Sequence, residues 1–401
     1  MKIDKVLIVS MGPYRFSTRT RKAAQAYLGL GEVTFVGLQG VGRTGKRDVE
    51  GSWRTEGIEV VQVGVRAPAT SPSRRSQTVN LLRSYLPAFV RLCREIWRRP
   101  ADVVHVTGVP LILLGLLHTA RHGSRLVVDV NERPASVSAR GSLFSTFARA
   151  EPVLLRLAAR RAAITTVVTP GHLELLQADY GFSHVLVVRN APMSQWRAPY
   201  VEQPEKTHRE YLRVVTVGTL FEGRAFEMLI EAVSRANSGG LQVVLDVYGA
   251  GRADYESSLK QLARDLGVQD HVTFHGRVEV SGVSAAYLTG HLGLALYDPA
   301  DSGNDSLSNK ILECVSSGRP VLAGDLTENR RFVVANDVGW LTDVTAEAIA
   351  AALVELSGEP NFVSISRRCR ALGDQELTWE AEFDKVLKAL ASDRSQMASA
   401  A

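Results

Sequence analysis

The chain is poor in cysteine, in long apolar runs and, over its first half, in acidic residues. Three cysteines, Cys93, Cys314 and Cys369, are spread over 401 residues. Odd in number and far apart, they make neither a disulfide framework nor a metal cluster, so a reducing cytoplasm is the expected compartment. The longest apolar stretch, Leu111 to Leu117, is well short of the ~20 residues that a bilayer helix needs. The opening Val6-Leu7-Ile8-Val9 is equally short and runs into Gly12-Pro13 and basic residues, so no signal peptide or spanning helix is expected. Residues 1–200 hold 28 Lys and Arg against 13 Asp and Glu, a net of +15, while residues 201–401 hold 19 against 29, a net of −10. The formal total of +5 therefore conceals two oppositely charged halves.

A composition 45% hydrophobic and 22% charged is that of a soluble globular protein, and the length suits two or three domains. In the first half, short β-branched runs alternate with helical patterns: Lys5–Ser10, Val33–Leu38, Ile58–Val63, Val103–Val106, Arg125–Val130, Ile164–Thr169 and Val185–Val188. The second half repeats the rhythm at Arg213–Val217, Gln242–Tyr248, Val272–His275, Leu292–Leu296, Pro320–Ala323 and Gly339–Leu341. Near-continuous apolar strands separated by helices predict parallel βαβ units buried on both faces. The polar stretch 192–210, with Pro192, Pro199 and Pro204, reads as a linker between two doubly wound α/β domains facing each other across a cleft. The expected division is 1–191, 192–210, 211–375, and a C-terminal helix over 376–401 that returns to the first domain and ends in a frayed tail.

Two segments of the second half carry chemistry. Val217-Gly218-Thr219-Leu220-Phe221-Glu222-Gly223-Arg224 leaves a strand and opens a helix near Phe226. Free N–H groups at such a helix start, beside a cation able to make bidentate bonds, suit a phosphate. The same residues also fit an ordinary strand-to-helix turn with a surface arginine. In Asp305-Ser306-Leu307-Ser308-Asn309-Lys310-Ile311-Leu312-Glu313, Ser308 is placed to cap a helix over 309–317 that stops at Gly318. Glu313 then lies about one turn inside, in reach of hydroxyls on a ligand whose phosphates sit at the helix start. The alternative is a loop aspartate and a solvated glutamate.

Together with Tyr248-Gly249-Ala250-Gly251 and Phe274-His275-Gly276-Arg277, these segments resemble the donor domain of family 4 retaining nucleotide-sugar glycosyltransferases, which have the two-Rossmann GT-B fold. Asp305 and Glu313 stand at the family's acid-x7-Glu spacing, followed by Gly318-Arg319-Pro320-Val321. The resemblance implies transfer of a sugar, a UDP-hexose by family frequency, to a hydroxyl of a glycan, lipid-linked or small-molecule acceptor in polysaccharide biosynthesis. Arg224, Lys310, Asp305 and Glu313 would serve catalysis. Gly12, Gly218, Tyr248, Gly249, Arg277, Leu307, Ser308 and Asn309 would join Arg224, Lys310 and Glu313 in holding the donor, with the base over 275–278 and Glu313 on the ribose. Retention by front-face substitution, in which the leaving diphosphate takes the acceptor proton, calls on cations and N–H dipoles more than on a protein base. Members of the fold usually need no metal and no cofactor. Thr219 departs from a frequent second cation, and Ala225 from a usual glycine.

On the acceptor side the resemblance points to Arg19, His105, Asn131 and Glu132. Thr107 and Asn131 occupy the places of two histidines common in the family, and His105 also reads as a structural strand residue. The missing histidines leave room for a non-catalytic nucleotide-binding partner, and a nucleotide-sugar epimerase shares the fold. From Arg74 to Arg99 seven arginines face a single Glu95 among interleaved apolar residues. That is either a Rossmann-type helix with solvated arginines or a basic amphipathic surface for an anionic membrane, which would make the protein peripheral at its inner face. Nucleic acid is not an expected partner, since no recognition motif accompanies the charge.

Overall fold

A computed structural model describes residues 3–15, 17–38, 50–65, 74–131, 144–202, 211–297 and 306–398, with side chains described except at 74–85, 144–149 and 393–398. The chain divides into two compact units, 1–189 with 383–401, and 190–382.

In the first unit, eight strands are ordered β3-β4-β2-β1-β5-β6-β7-β8. They are β1 (Lys5–Ser10), β2 (Glu32–Leu38), β3 (Gly51–Thr55), β4 (Ile58–Val63), β5 (Val103–Thr107), β6 (Arg125–Val130), β7 (Ile164–Val167) and β8 (Val185–Val187). All neighbours are parallel except β3 and β4. Alternate residues of each strand face opposite sides. Val104 and Val106 join Leu7, Val9, Val36 and Val128 beneath helices Arg74–Trp97, Ile112–His122, Phe144–Arg161 and Pro170–Tyr180. His105 points to the other side, against Tyr27 of helix Thr18–Tyr27 and Phe383 of helix Trp379–Ala398.

The second unit is a fully parallel sheet ordered β11-β10-β9-β12-β13-β14. Its strands are β9 (Tyr211–Val217), β10 (Gln242–Tyr248), β11 (Val272–Gly276), β12 (Leu292–Ala295), β13 (Val321–Gly324) and β14 (Gly339–Thr342). Helices Phe226–Ser238, Ala253–Asp265 and Ala346–Ser357 cover one face, and Val283–Leu288, Asn309–Ser317 and Thr327–Asn336 lie over the other.

Two boundaries differ from the sequence reading. The described part of the expected linker, 192–202, packs onto the second unit: Arg197 Nε donates to the Ser316 carbonyl at 2.8 Å, and the Tyr200 hydroxyl meets Ser366 Oγ at 3.2 Å. With Pro192 and Pro199 in it, this part holds no regular structure beyond the short turn Ser194–Trp196, yet it packs. The last division falls at Glu382, inside the final helix rather than at 375, because Trp379 is buried and its N–H donates to the Pro192 carbonyl.

Candidate functional site

In the second unit the chain runs β9 to β11 toward one edge of the sheet and β12 to β14 toward the other. β9 and β12 are therefore neighbours whose following loops diverge, and such switch points are where open α/β sheets bind ligands. The Gly218 turn leaves β9 here. Its backbone interlocks with the next loop: Gly218 N–H donates to the Tyr248 carbonyl at 2.9 Å, and Gly249 N–H to the Gly276 carbonyl at 2.7 Å. A Cβ on Gly249 would stand 1.8 Å from the Gly218 carbonyl oxygen, so this approach requires glycine. Arg277 follows directly and is exposed.

From the β12 side comes helix Asn309–Ser317, with the boundaries its caps predict. Ser308 Oγ accepts from the Lys310 N–H at 3.2 Å, and Gly318 ends the helix in the left-handed region. Ser308 Oγ also donates to the Tyr297 hydroxyl at 2.9 Å. Leu307 is half-buried against the core, while Asn309 is exposed at the helix start.

Lys310 lies inside the protein with its stem over Gly218 and its Nζ donating to Thr216 Oγ1 at 3.1 Å. Burial first, and the Arg224 charge second, lower its pKa from the ordinary 10.5 to about 7, against the opposing pull of Glu313, one turn along the helix. The Arg224 guanidinium is sandwiched between Phe221 and Tyr297, its centre 4.4 Å from each ring centroid. Lys310 Nζ stands 5.1 Å from the same Tyr297 ring. Gly218, Arg224, Ser308, Lys310 and Glu313, far apart in sequence, thus share one corner of the sheet: two cations, a helix start and a carboxylate. Ala225 holds φ +55 at the entry to helix Phe226–Ser238, a left-handed conformation that costs roughly 1 kcal/mol without glycine.

Beside this corner Tyr248 and His275 stack with centroids 4.2 Å apart and planes inclined by 7°. His275 Nε2 meets Asp246 Oδ1 at 2.7 Å, and Arg213 also pairs with Asp246. Burial pushes the Asp246 carboxyl up, but bonds from Arg213 and His275 outweigh it and hold its pKa below the ordinary value. The stack is fixed from behind.

In the first unit the switch point lies between β1 and β5. Gly12 sits there, its N–H donating to Ser10 Oγ at 3.1 Å, and Asn131 is half-buried just past β6. Two expected acceptor contacts have other engagements. Arg19 is buried, with Nε 2.9 Å from Asp129 Oδ2, Nη2 2.9 Å from Oδ1 and Nη1 donating to the Val188 carbonyl at 2.9 Å. His105 is 1% exposed, with Nδ1 3.1 Å from the Tyr27 hydroxyl, and burial lowers its pKa to about 4. Both are structural residues of the unit's interior. Asp305 and Glu132 lie outside the described residues. Among the described residues, no group of three His, Cys, Asp or Glu side chains is placed to hold a metal ion.

Residues 17–191 match the family described as "Glycosyl transferase 4-like domain" and residues 212–359 that described as "Glycosyl transferases group 1". The chain belongs to the group 1, family 4 glycosyltransferases. Over 205 residues it is 25% identical to the GtfA subunit of a UDP-N-acetylglucosamine–peptide N-acetylglucosaminyltransferase of Streptococcus gordonii, covering 48% of this chain and 38% of that protein. Over 107 residues it is 32% identical to a phosphatidyl-myo-inositol mannosyltransferase of Mycobacterium leprae, covering 26% and 27%. The matches thus span well under half the length of these relatives. Among solved structures, sucrose-phosphate synthase of Thermosynechococcus elongatus shares the fold with a TM-score of 0.71 at 14% identity, covering 99% and 100% of the two chains. Anabaena HepE in complex with UDP gives 0.69 at 14% identity over 97% and 100%. These likenesses establish GT-B architecture.

Three features of the site escaped the sequence reading: the Phe221–Tyr297 sandwich around Arg224, the Thr216 contact to Lys310, and the Asp246 anchor of His275. Thr216 and Asp246 lie within β9 and β10, and Phe221 and Tyr297 in the loops after β9 and β12, but nothing in the sequence pairs them with Lys310, His275 or Arg224.

Proposed function

We propose that this chain transfers a sugar from a nucleotide-diphosphate-sugar donor, a UDP-hexose favoured, to a hydroxyl of a glycan, lipid-linked or small-molecule acceptor, with retention. The observation that carries the reading is the pairing of Arg224 and Lys310 at the start of helix Asn309–Ser317, with Glu313 one turn inside. Two cations and a helix N-terminus stabilise charge developing on a leaving diphosphate. Glu313 takes the ribose hydroxyls, and the Tyr248–His275 stack borders the base. The leaving diphosphate accepts the acceptor proton, so no side-chain base is invoked, and the cations serve in place of a metal. Two relatives bear on the acceptor by name, the phosphatidyl-myo-inositol mannosyltransferase and the glycosyltransferase WaaG of lipopolysaccharide biosynthesis, and both names favour lipid-linked glycans.

Calorimetric titration with UDP, GDP and ADP tests the site. Binding of at least one, unaffected by EDTA and weakened roughly 10–100-fold in Glu313→Ala through loss of charged hydrogen bonds, is expected. Absence of binding by all three would overturn the donor assignment. A second reading, a nucleotide-binding partner without turnover, draws on Thr107 and Asn131 standing where family histidines are common; binding without release of sugar from any donor selects it. Proton NMR of the product's anomeric centre decides retention.

A further inference from the structure

We propose that the outer surface of three helices of the first unit, Arg74–Trp97, Ile112–His122 and Phe144–Arg161, is a docking face for an anionic lipid surface. The three cover one side of the same sheet. Each presents an apolar pair one turn apart to solvent: Leu86 and Val90, Leu113 and Leu117, Val153 and Leu157, all between 41% and 61% exposed. Pairs four residues apart share a helix face, so each helix carries an apolar ridge outward. Trp97 is 44% exposed, and the Arg121 guanidinium lies 4.5 Å over its ring, tying the first helix to the second.

Charge selects the occupant. Arg94, Arg98, Arg121, Arg156, Arg160 and Arg161 are exposed on or just past these helices. Their sequences contain only two carboxylates, and neither opposes the arginines outside: Glu95 is half-buried and pairs with Arg99, while Glu151 is buried. Glu50, outside the helices, is exposed and pairs with Arg91, which leaves the six arginines named above in excess on this face. An apolar surface with such a basic excess suits anionic headgroups with acyl chains beneath, where the aromatic ring of Trp97 sits at the boundary. Among the described residues no helix is long and apolar enough to cross a membrane, so attachment by this face is interfacial.

The proposal goes beyond the donor site and is tested apart from it, by co-sedimentation of the full chain with vesicles of phosphatidylcholine alone or with phosphatidylglycerol at low salt. Binding only to the anionic vesicles is expected. Each arginine near a charged bilayer contributes roughly fivefold, so Arg121→Ser with Arg156→Ser and Arg160→Ser lowers partitioning on the order of a hundredfold. Leu117→Ser with Leu157→Ser weakens it while leaving the arginines. UDP affinity and unfolding temperature of both variants serve as controls for folding. Failure of the parent protein to bind anionic vesicles, equal binding to neutral ones, or unchanged partitioning of the folded variants overturns the proposal. So does self-association in the absence of lipid that the leucine variant abolishes.

Discussion

Replacing Lys310 by methionine separates what the fold needs from what the site needs. The folded protein holds this ammonium at a pKa of about 7 against an ordinary 10.5, so folding favours the neutral amine. The cost of a charged Lys310 is therefore absent above pH 10.5, grows as pH falls toward 7 and is complete below it. At roughly 1.36 kcal/mol per unit, the upper bound is about 5 kcal/mol. Methionine fills the same channel over Gly218 but forfeits the bond to Thr216, about 1 kcal/mol. The unliganded variant should be more stable than the parent by about 1–4 kcal/mol at pH 7, the range found when buried ions give way to apolar residues. The gain should vanish near pH 10. Chemical denaturation at the two pH values measures it. Nucleotide binding should move oppositely, because a diphosphate raises the pKa of Lys310 and binding above pH 7 must take up a proton. Parent affinity for UDP then falls about tenfold per unit above pH 7, as one linked proton requires. The methionine variant binds at least tenfold more weakly at pH 7, with that slope removed. A stability difference equal at pH 7 and 10, or a variant that keeps the parent's affinity and slope, would refute the reasoning.

Two further predictions test residues reassigned to the interior. Arg19→Ala leaves Asp129 buried without its cation and should cost about 3–5 kcal/mol, seen as a lowered unfolding temperature, while acceptor KM of the folded fraction is unchanged; a KM effect without destabilisation would restore Arg19 to the acceptor. His105 has its pKa depressed from 6.5 to about 4, so its contribution is present above pH 6.5 and lost as pH falls toward 4. That loss is about 3 kcal/mol from the size of the shift, and His105→Asn, which keeps an acceptor near Tyr27, should flatten it in acid denaturation; an unaltered acid profile would show that another group is responsible.

The parts legible in the sequence are those whose cause is local. Near-continuous runs such as Arg125–Val130 mark strands because both faces are buried, and Ser308 and Gly318 mark a helix because the groups at its ends need satisfying. The edge strand β3 was missed because Gly51–Thr55 is mostly exposed and lacks an apolar run. Glu56 and Gly57 both have positive φ, joining β3 to β4 by a two-residue connection, and only the glycine of that pair is a turn signal in the sequence. Arg19 was hard to place for the opposite reason. A cation on an early helix resembles a ligand contact until Asp129, 110 residues away, is seen to receive it.

Charge behaves the same way at a larger scale. The acidic half binds the anion in the proposed function, which would be a contradiction if net charge governed the site. It does not, since Coulomb energy at a few ångströms in a dry corner far exceeds that of distant screened charges. Lys310 and Arg224 share the Tyr297 ring, and the Arg224 charge adds to the cost of charging Lys310. In the proposed function a diphosphate would offset that cost, as a neutral sugar would not. Six arginines of the basic half lie instead exposed on or just past three helices, where screening is strong and an extended anionic surface can gather them. The two proposed partners, a compact anion in the interior and a broad surface on the exterior, should be separable by salt: vesicle binding falls steeply with ionic strength while UDP binding, drier and closer, falls less.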